Sequence, residues 1–189
     1  MLVLCVNPVV VKLVPQPQLV VTNEEMRKLY NNPSVQVIDA RTINEYKGND
    51  IRAIRGGHIP GAVSIPYEQN WKDPQTATKL AKKEVKTNTG MALKERSDLN
   101  QLYSKFDPNK ETVVYCQSGV RASETAVVLQ NLGFKNVKVY DSSWLGWASH
   151  LSSPVADETY LNVGLLNAKM SAMQNKINEL EAALKAGKN

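Results

Sequence analysis

The residues best suited to chemistry lie in one run, Cys116-Gln117-Ser118-Gly119-Val120-Arg121. A cysteine attacks only as the thiolate, so its surroundings must favour the anion. The residues before it, Val113-Val114-Tyr115, are apolar and β-branched or aromatic and predict a buried strand. The residues after it, Ala122 to Leu132, predict a helix. At a strand-to-helix turn, successive backbone N–H groups form an anion nest. The helix adds its positive N-terminal end, and Arg121 adds a charge that persists at any working pH. Together these features should depress the thiol pKa and make Cys116 a nucleophile near neutrality. Gly119 lets the chain turn without a steric penalty. A lone cysteine ordinarily reads as a small buried hydrophobe at a strand end, but Cys-x-x-Gly-x-Arg in this setting points to a reactive site.

Elements on both sides must hold that loop. Leu19-Val20-Val21 is a candidate edge strand, and Thr22-Asn23-Glu24-Glu25 has the spacing of a capping box. The helix it opens should run to about Asn31, where Asn32-Pro33 stops it. Val35 to Asp39 predicts a second buried strand, Leu132-Gly133-Phe134 a helix stop, and Val137 to Tyr140 a further strand. Strands alternating with helices predict an α/β fold with a mainly parallel central sheet flanked by helices. Asp39 and Arg41 close the second strand, where open α/β sheets place ligand crevices. Arg41 either contacts an anionic substrate or braces the loop against Asp39 or Glu45, and bracing is the reading favoured here. Between residues 67 and 110, Lys79, Lys82, Lys83 and Lys86 read as a solvated helix face. Leu93 to Phe106 reads as another helix, its apolar positions being Leu93, Leu99, Leu102 and Phe106.

Four stretches, in order, resemble the rhodanese (sulfurtransferase) family: Val37-Ile38-Asp39-Ala40-Arg41 with Glu45-Tyr46, Gly57-His58-Ile59-Pro60-Gly61-Ala62, Cys116 to Arg121, and Val139-Tyr140-Asp141-Ser142-Ser143-Trp144 with Trp147. The last of these is most similar to the catalytic second domain of tandem thiosulfate/mercaptopyruvate sulfurtransferases. The resemblance implies a rhodanese domain over residues 19–152. It implies that Cys116 takes sulfane sulfur from a donor such as thiosulfate or a mercaptoacid, holds it as a persulfide, and passes it to a thiophile: cyanide in assay, a thiol or a protein in the cell. It implies an anion-binding loop of Gln117, Ser118, Gly119, Val120, Arg121 and Ala122, and neither metal nor cofactor. His58 is then structural, as is Asp39. Trp144 either walls the pocket or packs the core, and so does Trp147. One departure stands out. Some thiosulfate-using members have arginine where this chain has Glu45, and a carboxylate there would repel a sulfonate. Arg52 or Arg55 in the following loop, with Arg41 and Trp144, are the other candidates to bind an anionic substrate.

Composition bounds the alternatives. Two cysteines, Cys5 and Cys116, make no disulfide framework, and two scattered histidines add no metal site. A net charge of +5 attracts small anions, and no aromatic-and-basic interleaving of the RNA-binding kind is present. Four residues separate Cys116 from Arg121, one fewer than in the phosphate-sized loops of cysteine phosphatases, which argues against phosphate esters. Residues 1–18 read as an apolar arm with a Pro-rich lead-in. The arm is either an added strand or a remnant of a longer chain, and the compartment stays open between cytoplasm and periplasm. Residues 153–189 read as a heptad-patterned helix starting near Asp157, with a seam of Val163, Leu166, Met170, Met173, Ile177, Leu180 and Leu184. Asn162, Gly164, Asn167 and Asn175 should weaken it locally. The seam either packs on its own domain or joins chains as a homo-oligomer. The alternative to an enzyme is a persulfide carrier or scaffold whose helix binds a partner.

Overall fold

The computed structural model describes residues 16–186. The apolar arm, with Cys5 in it, lies outside these residues. The chain enters through a 3-10 turn at Pro17–Leu19 and forms β1 (Val20–Val21) and α1 (Asn23–Leu29). At the start of α1 the Thr22 hydroxyl accepts from the Glu25 N–H while the Glu25 carboxylate accepts from the Thr22 N–H, the reciprocal cap its spacing announced. Then follow β2 (Val35–Asp39), α2 (Ile43–Tyr46), β3 (Arg55–His58), β4 (Val63–Ser64), α3 (Thr76–Ala81) and α4 (Arg96–Leu102). The second half contains β5 (Glu111–Tyr115), α5 (Val120–Leu132), β6 (Asn136–Tyr140), α6 (Ser143–Ser149), β7 (Ala156–Tyr160) and α7 (Val163–Ala186).

Five strands make the main sheet in the order β1-β6-β5-β2-β4, every pairing parallel. The central strand β5 is therefore covered on both faces, which is why it ends in the apolar run Val113-Val114-Tyr115. On one face, Ile38 and Val114 pack with Leu99, Phe106, Val128 and Leu129. On the other, Val37, Val113 and Tyr115 pack with Met26, Trp144 and Trp147. A separate antiparallel pair joins β3 to β7.

Several local expectations are corrected. The lysine segment is not one helical face: α3 ends at Ala81, Lys82 caps it, and Lys83 has φ 60° and turns the chain away. Lys79 instead pairs with Asp73 at 2.8 Å. Leu93 is exposed and lies outside α4, because its backbone bridges Trp71. The tail does not begin with helix: residues 156–160 form β7 on the body, and α7 starts at Val163. Asn162, expected to weaken the tail helix, sits just before it and caps it, its Oδ1 accepting from the Leu165 N–H at 2.9 Å.

Candidate active site

Parallel strands all end on one side of the sheet, and the candidate residues gather there. Cys116 follows the last residue of β5 and is 1% exposed. The chain then turns at Gly119, whose φ is 91°, and enters α5. A Cβ at Gly119 would lie 3.0 Å from the Asp141 carbonyl oxygen, so a side chain here would meet both an unfavourable backbone and a close neighbour. Among the described residues, none of the backbone N–H groups of Gln117 to Ala122 donates to a protein acceptor. Six consecutive donors at the head of a 13-residue helix are thus free for an anion.

The start of α6 grips the start of this loop. The Ser143 hydroxyl accepts from the Cys116 N–H at 3.1 Å and donates to the Tyr140 carbonyl at 2.8 Å. The Trp144 N–H donates to the Cys116 carbonyl at 3.0 Å, and the Leu145 N–H to that of Gln117 at 3.1 Å. Ser143 has φ 51°, a left-handed backbone that costs a serine on the order of 1–2 kcal/mol. Its two buried hydrogen bonds hold it there.

Glu45 grips the far end of the loop. It is fully buried and takes a two-pronged bond from Arg121, at 2.7 and 2.8 Å. Its oxygens also accept from the Thr42 N–H at 3.0 Å and from Arg52 at 3.3 Å. Burial alone would push the Glu45 carboxyl upward. The Arg121 hydrogen bonds, the Thr42 N–H and the Arg121 charge win, and hold it down at about 2. Burial works against the Arg121 charge too, but the Glu45 bonds and charge outweigh it and raise that pKa above the ordinary arginine value. The Arg121 guanidinium also lies 5.5 Å from the centre of the Tyr67 ring.

A third layer supports β2 and β5. Arg41 is 1% exposed and bonds Asp39 through Nε at 3.0 Å and Nη2 at 2.6 Å; Nη2 also donates to the Gly57 carbonyl at 2.7 Å. Its guanidinium lies 4.4 Å from the Trp144 ring. The Tyr115 hydroxyl donates to Asp39 at 2.6 Å and accepts from the Ile59 N–H at 3.1 Å. Burial first, and then the Asp39 charge, push the Tyr115 phenol well above its usual range, so it stays a donor.

The candidate residues therefore sort into two groups. Cys116 and the loop from Gln117 to Ala122 stand together, with Arg52 half-exposed beside them and its carbonyl accepting from Gln117 Nε2 at 2.7 Å. Arg41, Arg55 and Trp144, offered as substrate contacts, are corrected: all three are buried and spent on the protein. Arg55 bonds the carbonyls of Ala148, His150 and Ser153 and pairs with Glu158 at 2.6 Å. Trp144 is 1% exposed, with its indole N–H on the Arg55 carbonyl at 3.1 Å. His58 stacks on Tyr46 at 3.7 Å and packs in β3. Glu45 is not the free, repelling carboxylate that its type suggested, because Arg121 and Arg52 neutralise it. The sequence reading missed the Glu45–Arg121 clamp and Ser143. Thr42-Ile43-Asn44-Glu45 has the capping-box spacing, a signal that Glu45 folds back on its own helix. Nothing in the sequence distinguishes Ser143 from Ser142. Among the described residues, no cluster of three or more His, Cys, Asp or Glu side chains is set to hold a metal.

A thiol at the C-terminal end of a parallel strand, followed by an anion nest and a clamped arginine, defines the class. The model of the rhodanese-like domain matches residues 22–150, and the chain belongs to that family. It is 34% identical over 158 residues to a thiosulfate sulfurtransferase of Corynebacterium glutamicum, covering 79% of this chain and 47% of that protein. It is 31% identical over 153 residues to the mitochondrial thiosulfate/3-mercaptopyruvate sulfurtransferase 1 of Arabidopsis thaliana, covering 79% of this chain and 37% of that one. The chain thus spans less than half the length of these relatives. The fold is shared with an anaerobic ergothioneine biosynthesis enzyme from Chlorobium limicola, with TM-score 0.59 and 20% identity over 77% of this chain and 33% of that one.

Proposed function

We propose that the protein is a sulfurtransferase that carries sulfane sulfur on Cys116. The Cys116 thiolate attacks the outer sulfur of thiosulfate. A new S–S bond forms on Cys116, the S–S bond of thiosulfate breaks, and sulfite leaves with the electron pair. The persulfide keeps one negative charge on its outer sulfur, and the N–H groups of Gln117 to Ala122 stabilise it. A thiophile, such as cyanide or a thiolate, then attacks that sulfur, and the Cys116 thiolate departs from it unchanged. A 3-mercaptopyruvate donor would load the same sulfur by a different cleavage: the Cys116 thiolate attacks the donor's thiol sulfur, the C–S bond breaks, and the electron pair leaves on carbon as the enolate of pyruvate, which takes up a proton. No metal or cofactor takes part.

The observation that carries this reading is the set of six unspent N–H donors next to Cys116. Glu45 does not argue against thiosulfate, since its charge is matched within the protein by Arg121, and Arg52 adds a half-exposed cation. The test is intact mass after incubation with thiosulfate, beside a Cys116→Ser control. A gain of one sulfur atom, absent in the control, is expected. A gain with mercaptopyruvate but none with thiosulfate would move the donor to the mercaptoacid class. No gain with either would sink the reading and favour a scaffold.

A further inference from the structure

The feature that the site does not absorb is α7. Its seam side chains are all exposed, between 43% and 66%, and none packs on the domain. Gly164 near its start and Asn167 and Asn175 within it lower its intrinsic propensity, and most helical stability in proteins comes from packing of an apolar face. We propose that α7 pairs with α7 of a second copy of this chain, as a parallel, in-register, two-stranded coiled coil.

Three observations select that occupant. The first is the residue type at each seam position. In heptad terms Val163, Met170, Ile177 and Leu184 occupy a, and Leu166, Met173 and Leu180 occupy d. β-branched residues at a with leucine at d favour two parallel strands, and two of the heptads have that pairing, Val163 with Leu166 and Ile177 with Leu180, on either side of the softer pair Met170 and Met173. The second is charge. In a parallel pair, position g of one helix faces the next e of its partner, so Lys176 meets Glu181 of the second copy twice, once on each side. An antiparallel pair would instead set g against g and bring Lys169 and Lys176 together across the seam. The third is area. Two such seams hold roughly 1,400 Å² of exposed surface, within the range of about 1,200–2,000 Å² that stable interfaces bury.

The test uses the full chain in sedimentation equilibrium. A dimer is expected, dissociating on dilution. Lys176→Glu and Glu181→Lys should each weaken it by about threefold to tenfold. An equimolar mixture of the two variants should recover the affinity as a heterodimer, because both g–e contacts are then attractive. Ile177→Lys should give monomer, while the thermal midpoint of the domain stays in place and shows that the body is folded. Leu184→Cys should cross-link to the same position of the partner on mild oxidation. A full chain that stays monomeric at about 100 μM would overturn the proposal, as would a dimer that survives Ile177→Lys. No recovery in the charge-swapped mixture, or a cross-link absent at position 184, would overturn the parallel register.

Discussion

At the scale of single residues, the site depends on one carboxylate that makes no contact with Cys116. Glu45 is fully buried, yet it keeps its charge because Arg121 and the Thr42 N–H compensate it. Its work is to fix Arg121, which closes the loop. Glu45→Gln keeps the shape and removes the charge. The Arg121 guanidinium then loses its two-pronged partner and samples other positions. The expected result is a fall in kcat of about tenfold, or ~1.4 kcal/mol, with KM for thiosulfate unchanged or lower because the site has become more positive. Steady-state kinetics of sulfur transfer to cyanide check this. An unchanged kcat would mean that the loop holds its position without the clamp.

At the scale of elements, the loop is one joint between β5 and α5, and its geometry rests on Gly119. Gly119→Ala puts a methyl 3.0 Å from the Asp141 carbonyl at a φ of 91°. The loop must shift, and the donors with it, so persulfide formation should slow by at least tenfold. Gly133→Ala is the matched control: its φ is 102°, but nothing lies within 4 Å. It should cost stability of about 1 kcal/mol and leave the rate of persulfide formation alone, as read by quenched mass measurements. Equal slowing in both would show that the effect is general destabilisation. This joint was legible in the sequence because its parts are contiguous: an apolar strand, a cysteine, a glycine and a helix. The capping box of Thr22 and Glu25 and the parallel sheet were legible for the same reason, since local pattern decides them. What was not legible depends on distance. Glu45 and Arg121 are 76 residues apart. Strand β7, Ala-Asp-Glu-Thr-Tyr, lacks an apolar face and forms because β3, a hundred residues earlier, offers it an edge. Arg55 reads as a free cation until the carbonyls of Ala148, His150 and Ser153 are seen folded over it.

At the scale of the whole molecule, the same clamp links the candidate site to folding. Glu45 and Arg121 join α2 to the start of α5, so the charge on Glu45 supports the assembly of the elements around the site. The carboxyl is held at about 2 in the folded chain, against an ordinary value of 4.5. A carboxyl depressed by folding contributes stability that is complete above the unfolded value and is lost as pH falls toward the folded one. The loss should therefore run from about pH 5 down to about pH 2, and be worth on the order of 3 kcal/mol at full extent. Glu25, Asp73 and Glu158, also held below their usual range by hydrogen bonds, act in the same direction. Glu45→Gln separates their contributions from that of the clamp. Its neutral amide resembles the protonated carboxyl, so the variant should be less stable than the parent at pH 7, and the gap should narrow by about half as pH falls from 5 to 3. Urea unfolding of both proteins at pH 7, 5, 4 and 3 measures it. A gap that stays constant over this interval would mean that packing around residue 45, and not its charge, holds α2 to the Cys116 loop.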